Sequence, residues 1–181
     1  MKDHNGIQTL YERFQTGDRL ALARVISLIE NRSEGFEEIL HNIFPSTGDA
    51  HRIGITGPPG AGKSTLTSHV AKNFRARGSK IGIIAVDPTS PFTGGAILGD
   101  RVRMTDIGLD PGIFIRSMAP RGSLGGLAMA TKEVGDVLDA FGKDIVIMET
   151  VGVGQSELDI VSAADTTVVV LVPESGDGIQ T

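Results

Sequence analysis

The segment Gly57-Pro58-Pro59-Gly60-Ala61-Gly62-Lys63-Ser64 leaves this chain few folds to choose from. It matches the pattern GxxxxGK[ST], with the apolar run His51 to Thr56 reading as a strand before it and Ser64 to Arg77 reading as a helix after it. The spacing has a mechanical reason. Glycines let the backbone turn so that successive N–H groups face one phosphate, and the new helix adds its positive end. Lys63 sets a point charge against the outer phosphates, and Ser64 offers a hydroxyl to Mg2+. The candidate nucleotide-binding set is therefore Gly57, Pro58, Pro59, Gly60, Ala61, Gly62, Lys63, Ser64 and Thr65. This pattern implies a nucleoside triphosphate and magnesium; it does not choose guanine over adenine.

After His51 short apolar runs alternate with helical patterns, the signature of an α/β fold. Lys80 to Val86, Ile113 to Ile115, Asp144 to Glu149 and Thr167 to Val172 read as further strands. Leu124 to Phe141 and Glu157 to Ser162 read as helices, the former burying Leu127, Thr131, Val134, Val137, Leu138 and Phe141. The runs IVIM and VVVLV predict strands in the middle of a parallel sheet covered on both faces. The fold expected is a P-loop three-layer sandwich with a mostly parallel sheet.

Residues 9–44 differ: Leu10, Phe14, Leu20, Ala23, Ile26, Leu28 and Ile29 give an apolar face at helical spacing. Ser33 is expected to open a second helix with Phe36, Ile39, Leu40, Ile43 and Phe44 as its apolar positions, and Pro45 to end it. Residues 1–48 thus read as a helical extension packed on a main domain at 49–181. Met118, Met129 and Met148 read as core fillers, and His69 as a helix-surface residue.

A second set of candidate residues gathers around the loop. Glu149 closes the apolar strand IVIMET, where a carboxylate can hold a magnesium-bound water or orient the γ-phosphate region. Gly152 follows at the spacing Glu-x-x-Gly, and its amide can report the γ-phosphate. Asp87 ends the second strand at the edge where ligands bind in parallel sheets. Asp100 closes the loop FTGGAILGD and fits two roles, a magnesium-side acid brought in by loop closure or a cap for the following helix. Gln155 fits either a contact to the attacking water or a surface position. Arg116 and Arg121 stand beside glycines and suit a phosphate, a partner's carboxylate or neither.

Composition removes other classes. With no cysteine in 181 residues, disulfide scaffolds and thiolate chemistry are out. A net charge of -5 supplies no basic field for a nucleic acid. The most apolar stretch, Thr166 to Pro173, falls well short of the roughly 20 residues that span a bilayer, and the start MKDHNGIQTL does not look like a signal peptide. A cytoplasmic protein is expected, or a mitochondrial-matrix one in a eukaryote, with neither nucleic acid nor membrane as partner.

Five segments together resemble one family, the MeaB/ArgK/MMAA-type P-loop GTPases, chaperones of adenosylcobalamin-dependent acyl-CoA mutases. They are GITGPPGAGKSTL, AVDPTSPFTGGAILGDRVRM, IRSMAPRGSLGGLA, ETVGVGQSE and VLVPESGDGIQ, and the resemblance extends over nearly all of residues 9–181. The resemblance implies GTP and GDP as ligands and Mg2+ as cofactor. It assigns phosphate and metal contacts to Lys63 and Ser64, and acidic surroundings of the metal to Asp87, Asp100 and Glu149. Residues 152–157 resemble a second switch, and 174–181 the start of a third that senses the mutase. It further implies a homodimer, and GTP hydrolysis that gates cofactor delivery or rescue of an inactivated mutase. The Asn/Thr-Lys-x-Asp base-reading segment and the C-terminal dimerisation region of such proteins do not occur within residues 1–181, so 49–181 reads as an incomplete P-loop domain. Neither a general base nor an arginine finger is evident, so slow turnover without a partner is expected. A small-molecule kinase and a non-catalytic nucleotide-dependent binding module are the alternatives.

Overall fold

Five strands rich in isoleucine and valine pair into one sheet: β1 (His51–Thr56), β2 (Ile81–Val86), β3 (Ile113–Met118), β4 (Ile145–Thr150) and β5 (Thr166–Val169). The computed structural model describes residues 3–86, 104–118, 124–150 and 156–173. The strand order is β3-β2-β4-β1-β5, and each of the four pairings is parallel. Parallel neighbours need crossovers, which here carry the helices α4 (Lys63–Ala76), α5 (Thr105–Gly108), α6 (Leu124–Ala140) and α7 (Ser156–Ala163).

Alternation along the strands divides the core in two. Ile53, Ile55, Ile81, Ile83, Ile145 and Ile147 meet Leu66, Val70 and Phe74 of α4 on one face. Ile84, Val86, Val146 and Met148 meet Leu127, Val134, Val137 and Leu138 of α6 on the other. Each such isoleucine contributes about 1.5–3 kcal/mol by leaving water. The expected three-layer α/β architecture is what forms.

The apolar run in β5 has a different place from the one expected. β4 is central and buried along its whole length. β5 lies at the sheet edge among the described residues, with Val169 57% and Leu171 72% exposed. Hydropathy records how much a segment gains from burial, not which neighbour supplies it. The brief third apolar segment is a full strand, β3, on the opposite edge.

The N-terminal region forms α1 (Asp3–Gln15), α2 (Arg19–Glu30) and α3 (Phe36–Ile43), then a single 3-10 turn over Phe44–Ser46. Asp18 separates the first two helices: its carboxylate accepts from the Leu20 and Ala21 amides at 2.8 and 3.3 Å, capping α2. Arg13 bonds the same carboxylate at 2.9 Å and, with the Leu20 and Ala21 amides, holds it below the usual range for an aspartate. Gly35, not Ser33, caps α3, because a left-handed φ of 87° is needed there. Ala21, Leu22, Val25, Ile26 and Ile29 of α2 pack into the same core cluster as α6. Leu20, Phe44 and Met129, read from spacing as apolar-face or core positions, are exposed instead, while Met118 and Met148 are buried. His69 is on the exposed side of α4.

At the end of the sheet where the strands begin, cations crowd one turn. Arg19 donates to the carbonyls of Pro111 and Ile113 at 2.7 and 2.8 Å, and Lys143 to that of Gly112 at 3.2 Å. Burial lowers the Lys143 pKa from 10.5 to about 8, helped by the charges of Arg19, Lys80 and Arg75 against the opposing pull of Asp144. Between about pH 8 and 10.5 the folded protein has shed this proton while the unfolded chain keeps it. Unfolded protein then binds more protons, so stability rises with pH through that window. Denaturant titrations from pH 7.5 to 10.5 should show a gain of roughly 2–3 kcal/mol that is absent in Lys143→Met; an equal rise in the variant would assign the effect elsewhere.

Candidate nucleotide-binding site

β1 ends and the chain turns sharply at Gly57, whose φ of 137° is a conformation that side-chain-bearing residues avoid. A Cβ at this position would lie 2.2 Å from the carbonyl oxygen of Val170. The loop therefore runs against the chain leaving β5, and only glycine allows that approach. Gly60 and Gly62 also have positive φ, and the Gly62 carbonyl accepts from the Leu66 amide at 2.9 Å to start α4. The first turn of a helix leaves its amides without intrahelical partners, and the helix dipole makes that end attractive to anions.

Lys63 is only 6% exposed. Its ammonium lies inside the turn, donating to the carbonyls of Gly57 at 2.7 Å and Pro58 at 2.8 Å. Ser64 Oγ donates to Glu149 Oε1 at 2.5 Å. Glu149 is buried at the end of β4, opposite Ile55 of β1 and Ala85 of β2. The central strand thus delivers its carboxylate to the start of α4. A cleft of about 310 Å³ lies between the two. Pro59, Gly60, Gly62, Lys63, Ser64 and Thr65 form one wall, and Ala85, Val86, Glu149 and Thr150 the other. Lys63, Ser64 and Glu149 all line this one cleft.

Asp87, Asp100, Gly152 and Gln155 lie outside the described residues, as does Arg121. Arg116 is placed differently from a phosphate ligand. Its guanidinium grips the Glu30 carboxylate, with Nε 3.1 Å from Oε1, and reaches Ser27 Oγ at 3.1 Å, so it ties β3 to α2. Thr150 is a cleft residue that the motif reading passed over. Its hydroxyl donates to Thr56 Oγ1 at 3.3 Å, and its only local signal was its place beside Glu149.

The donors suit magnesium. Mg2+ prefers oxygen ligands, takes one or two from the protein and keeps waters and phosphate oxygens for the rest. Ser64 Oγ and Glu149 Oε1, already in contact, are such a pair. Among the described residues no group of three or more His, Cys, Asp or Glu side chains gathers as an all-protein metal cage would need.

A phosphate loop between a central parallel strand and a helix, with an acid on the adjoining strand, defines the class of P-loop nucleotide-binding proteins. Within that class, residues 22–181 match the family model described as Methylmalonyl Co-A mutase-associated GTPase MeaB, and the chain belongs to that family. It is 59% identical over 175 residues to a putative GTPase of Pyrococcus abyssi, covering 97% of this chain and 54% of that protein. It is 34% identical over 193 residues to the mouse protein described as Methylmalonic aciduria type A homolog, mitochondrial, covering 99% of this chain and 46% of that one. A crystal structure described as LAO/AO transport system kinase is similar with a TM-score of 0.75 and 29% identity, over 94% of this chain and 51% of that chain. The chain spans about half the length of the curated relatives it matches.

Proposed function

We infer that residues 49–181 carry the phosphate-binding and hydrolytic half of a magnesium-dependent GTPase, with residues 1–48 as a helical extension. The observation that carries this reading is the meeting of Lys63, Ser64 and Glu149 at one cleft beside the glycine turn. Lys63 and the first-turn amides of α4 bind and orient the triphosphate and meet the charge that spreads over its oxygens as the terminal phosphoryl group leaves. Ser64 and Glu149 hold magnesium, with Asp87 and Asp100 as further acids. Magnesium, when bound, neutralises charge on the outer phosphate oxygens. Gly152 and Gln155 are the proposed sensors of the nucleotide state. GTP as substrate is supported by the GTPase descriptions of the family and of the archaeal relative.

The family's description as methylmalonyl-CoA mutase-associated supports such a mutase as partner, and the proposed role toward it is to gate cobalamin delivery to, or reactivation of, an adenosylcobalamin-dependent acyl-CoA mutase. The reading includes a homodimer and a cytoplasmic location, or the mitochondrial matrix in a eukaryote; the mouse relative is described as mitochondrial. Among the described residues no helix is long and apolar enough to cross a membrane.

The test is to incubate the intact protein with γ-labelled GTP and follow both products. Release of inorganic phosphate that requires Mg2+ supports the GTPase. Label on a small-molecule acceptor supports the kinase alternative, which the description of the similar crystal structure keeps in view. Glu149→Gln should lower hydrolysis by about 100-fold, roughly 2.7 kcal/mol of barrier, with the melting temperature within a few degrees of wild type. An unchanged rate and magnesium requirement would take Glu149 out of the site.

A further inference from the structure

The phosphate loop and Glu149 are held between β1 and β4, yet the main-chain pairing of these strands ends at Ile55 opposite Glu149. One residue on, β4 stays paired to β2 through Val86 and Thr150, while Thr56 of β1 pairs only with Val169 of β5. At this point Thr150 Oγ1 donates to Thr56 Oγ1 at 3.3 Å. Both residues are buried, at 1% and 5% exposure. The Thr56 carbonyl accepts from the Val170 amide at 2.8 Å, which fixes Thr56 to β5 on its other side.

Together with the Ser64–Glu149 bond, the hydroxyl contact closes a ring. The chain runs from Thr56 through the loop to Ser64, crosses by hydrogen bond to Glu149, passes by one peptide bond to Thr150, and returns to Thr56. We propose that Thr150, which nothing in the phosphate-loop pattern singles out, is a positioning residue: its hydroxyl adds a rung past the end of the β1–β4 ladder and sets how far Glu149 stands from the phosphate loop. This rests on the GTPase reading for its consequence, though not for its geometry.

The contact is long for a hydroxyl pair, whose usual distance is about 2.7–2.8 Å. Its effect is therefore expected in the local geometry of the ring rather than in global stability. Valine has the same branched shape as threonine and the same fitness for a strand, so Thr150→Val removes little besides the hydroxyl.

Three measurements on the intact protein test the proposal: amide hydrogen exchange without nucleotide, the GDP affinity with Mg2+ against that with a chelator, and the melting temperature. In Thr150→Val the hydrogen-bonded loop amides, Ala61 on the Pro58 carbonyl and Leu66 on the Gly62 carbonyl, should exchange about tenfold faster, and the gain in GDP affinity from Mg2+ should shrink by a similar factor, the order seen when groups supporting metal ligands are removed. Thr150→Ser should restore both. Wild-type exchange and a wild-type magnesium effect in the valine variant would overturn the proposal. So would faster exchange spread evenly through β1, β2 and β4 with a lowered melting temperature that serine does not rescue, since that is a plain loss of strand stability. A Lys63→Ala control separates the two levels. If it keeps wild-type nucleotide affinity the GTPase reading fails, while loop exchange in the nucleotide-free protein still decides the role of Thr150.

Discussion

Lys63→Ala is expected to weaken binding of a nonhydrolysable GTP analogue by roughly 150-fold, about 3 kcal/mol, the order lost when one partner of a buried charge-assisted contact is removed. The size follows from where the ammonium stands. It is 6% exposed and fixed inside the turn by the carbonyls of Gly57 and Pro58 at 2.7 and 2.8 Å. The same two bonds predict a smaller cost to the fold. Two loop carbonyls lose a donor, about 1 kcal/mol each, and for a chain of this size that lowers the melting temperature by roughly 4–8 °C. Affinity and stability should therefore part company: a large loss by calorimetry beside a small shift in the melting curve. An affinity within threefold of wild type would remove the lysine from the site. Lys63→Arg is expected to recover little, because a planar guanidinium cannot replace a compact ammonium inside the turn.

How much of this was open to reading from the sequence depended on distance along the chain. The phosphate loop, the strand before it and the helix after it are one continuous segment, and their signals are local: glycine spacing, an apolar run, a lysine–serine pair at the helix start. Glu149 was legible because it ends an apolar strand. The strand order was not, since it is decided by pairings between distant segments, and the similar runs in β4 and β5 went to the centre and the edge of the sheet. Arg116 was recognised by type, but its partner Glu30 is 86 residues away and carries no pattern that points to it. The Thr56–Thr150 contact spans 94 residues and joins two residues that spacing treats as ordinary strand positions. Helical spacing likewise places Leu20 and Phe44 on apolar faces, yet each sits at a helix boundary and is exposed among the described residues. Asp87, Asp100, Gly152 and Gln155 fall outside the described residues, so their part in the site stays a proposal from the sequence.

Gly57→Ala is expected to cost far more than a methyl group usually does. Two terms add at this position. The φ of 137° is strained for alanine, a backbone cost on the order of 1–3 kcal/mol. The new Cβ would also meet Val170, 2.2 Å from its carbonyl oxygen, 3.1 Å from its carbonyl carbon and 3.2 Å from its nitrogen. These are backbone atoms of the segment leaving β5 and cannot swing aside as a flexible side chain could. Gly60 supplies the comparison. It too has a positive φ, at 78°, but a Cβ there meets nothing within 4 Å. Gly60→Ala therefore carries only the conformational term, about 1 kcal/mol. Gly57→Ala should lose about 4 kcal/mol or more once overpacking is added, which for a protein of this size is roughly 8–16 °C in melting temperature. Relief of the clash requires Gly57 and Val170 to separate, and Gly57 supplies one of the two carbonyls that hold the Lys63 ammonium. Nucleotide binding should fall with stability in Gly57→Ala, whereas Gly60→Ala should melt within a few degrees of wild type. Equal melting temperatures for the two alanine variants would show that the contact with Val170 does not constrain the loop.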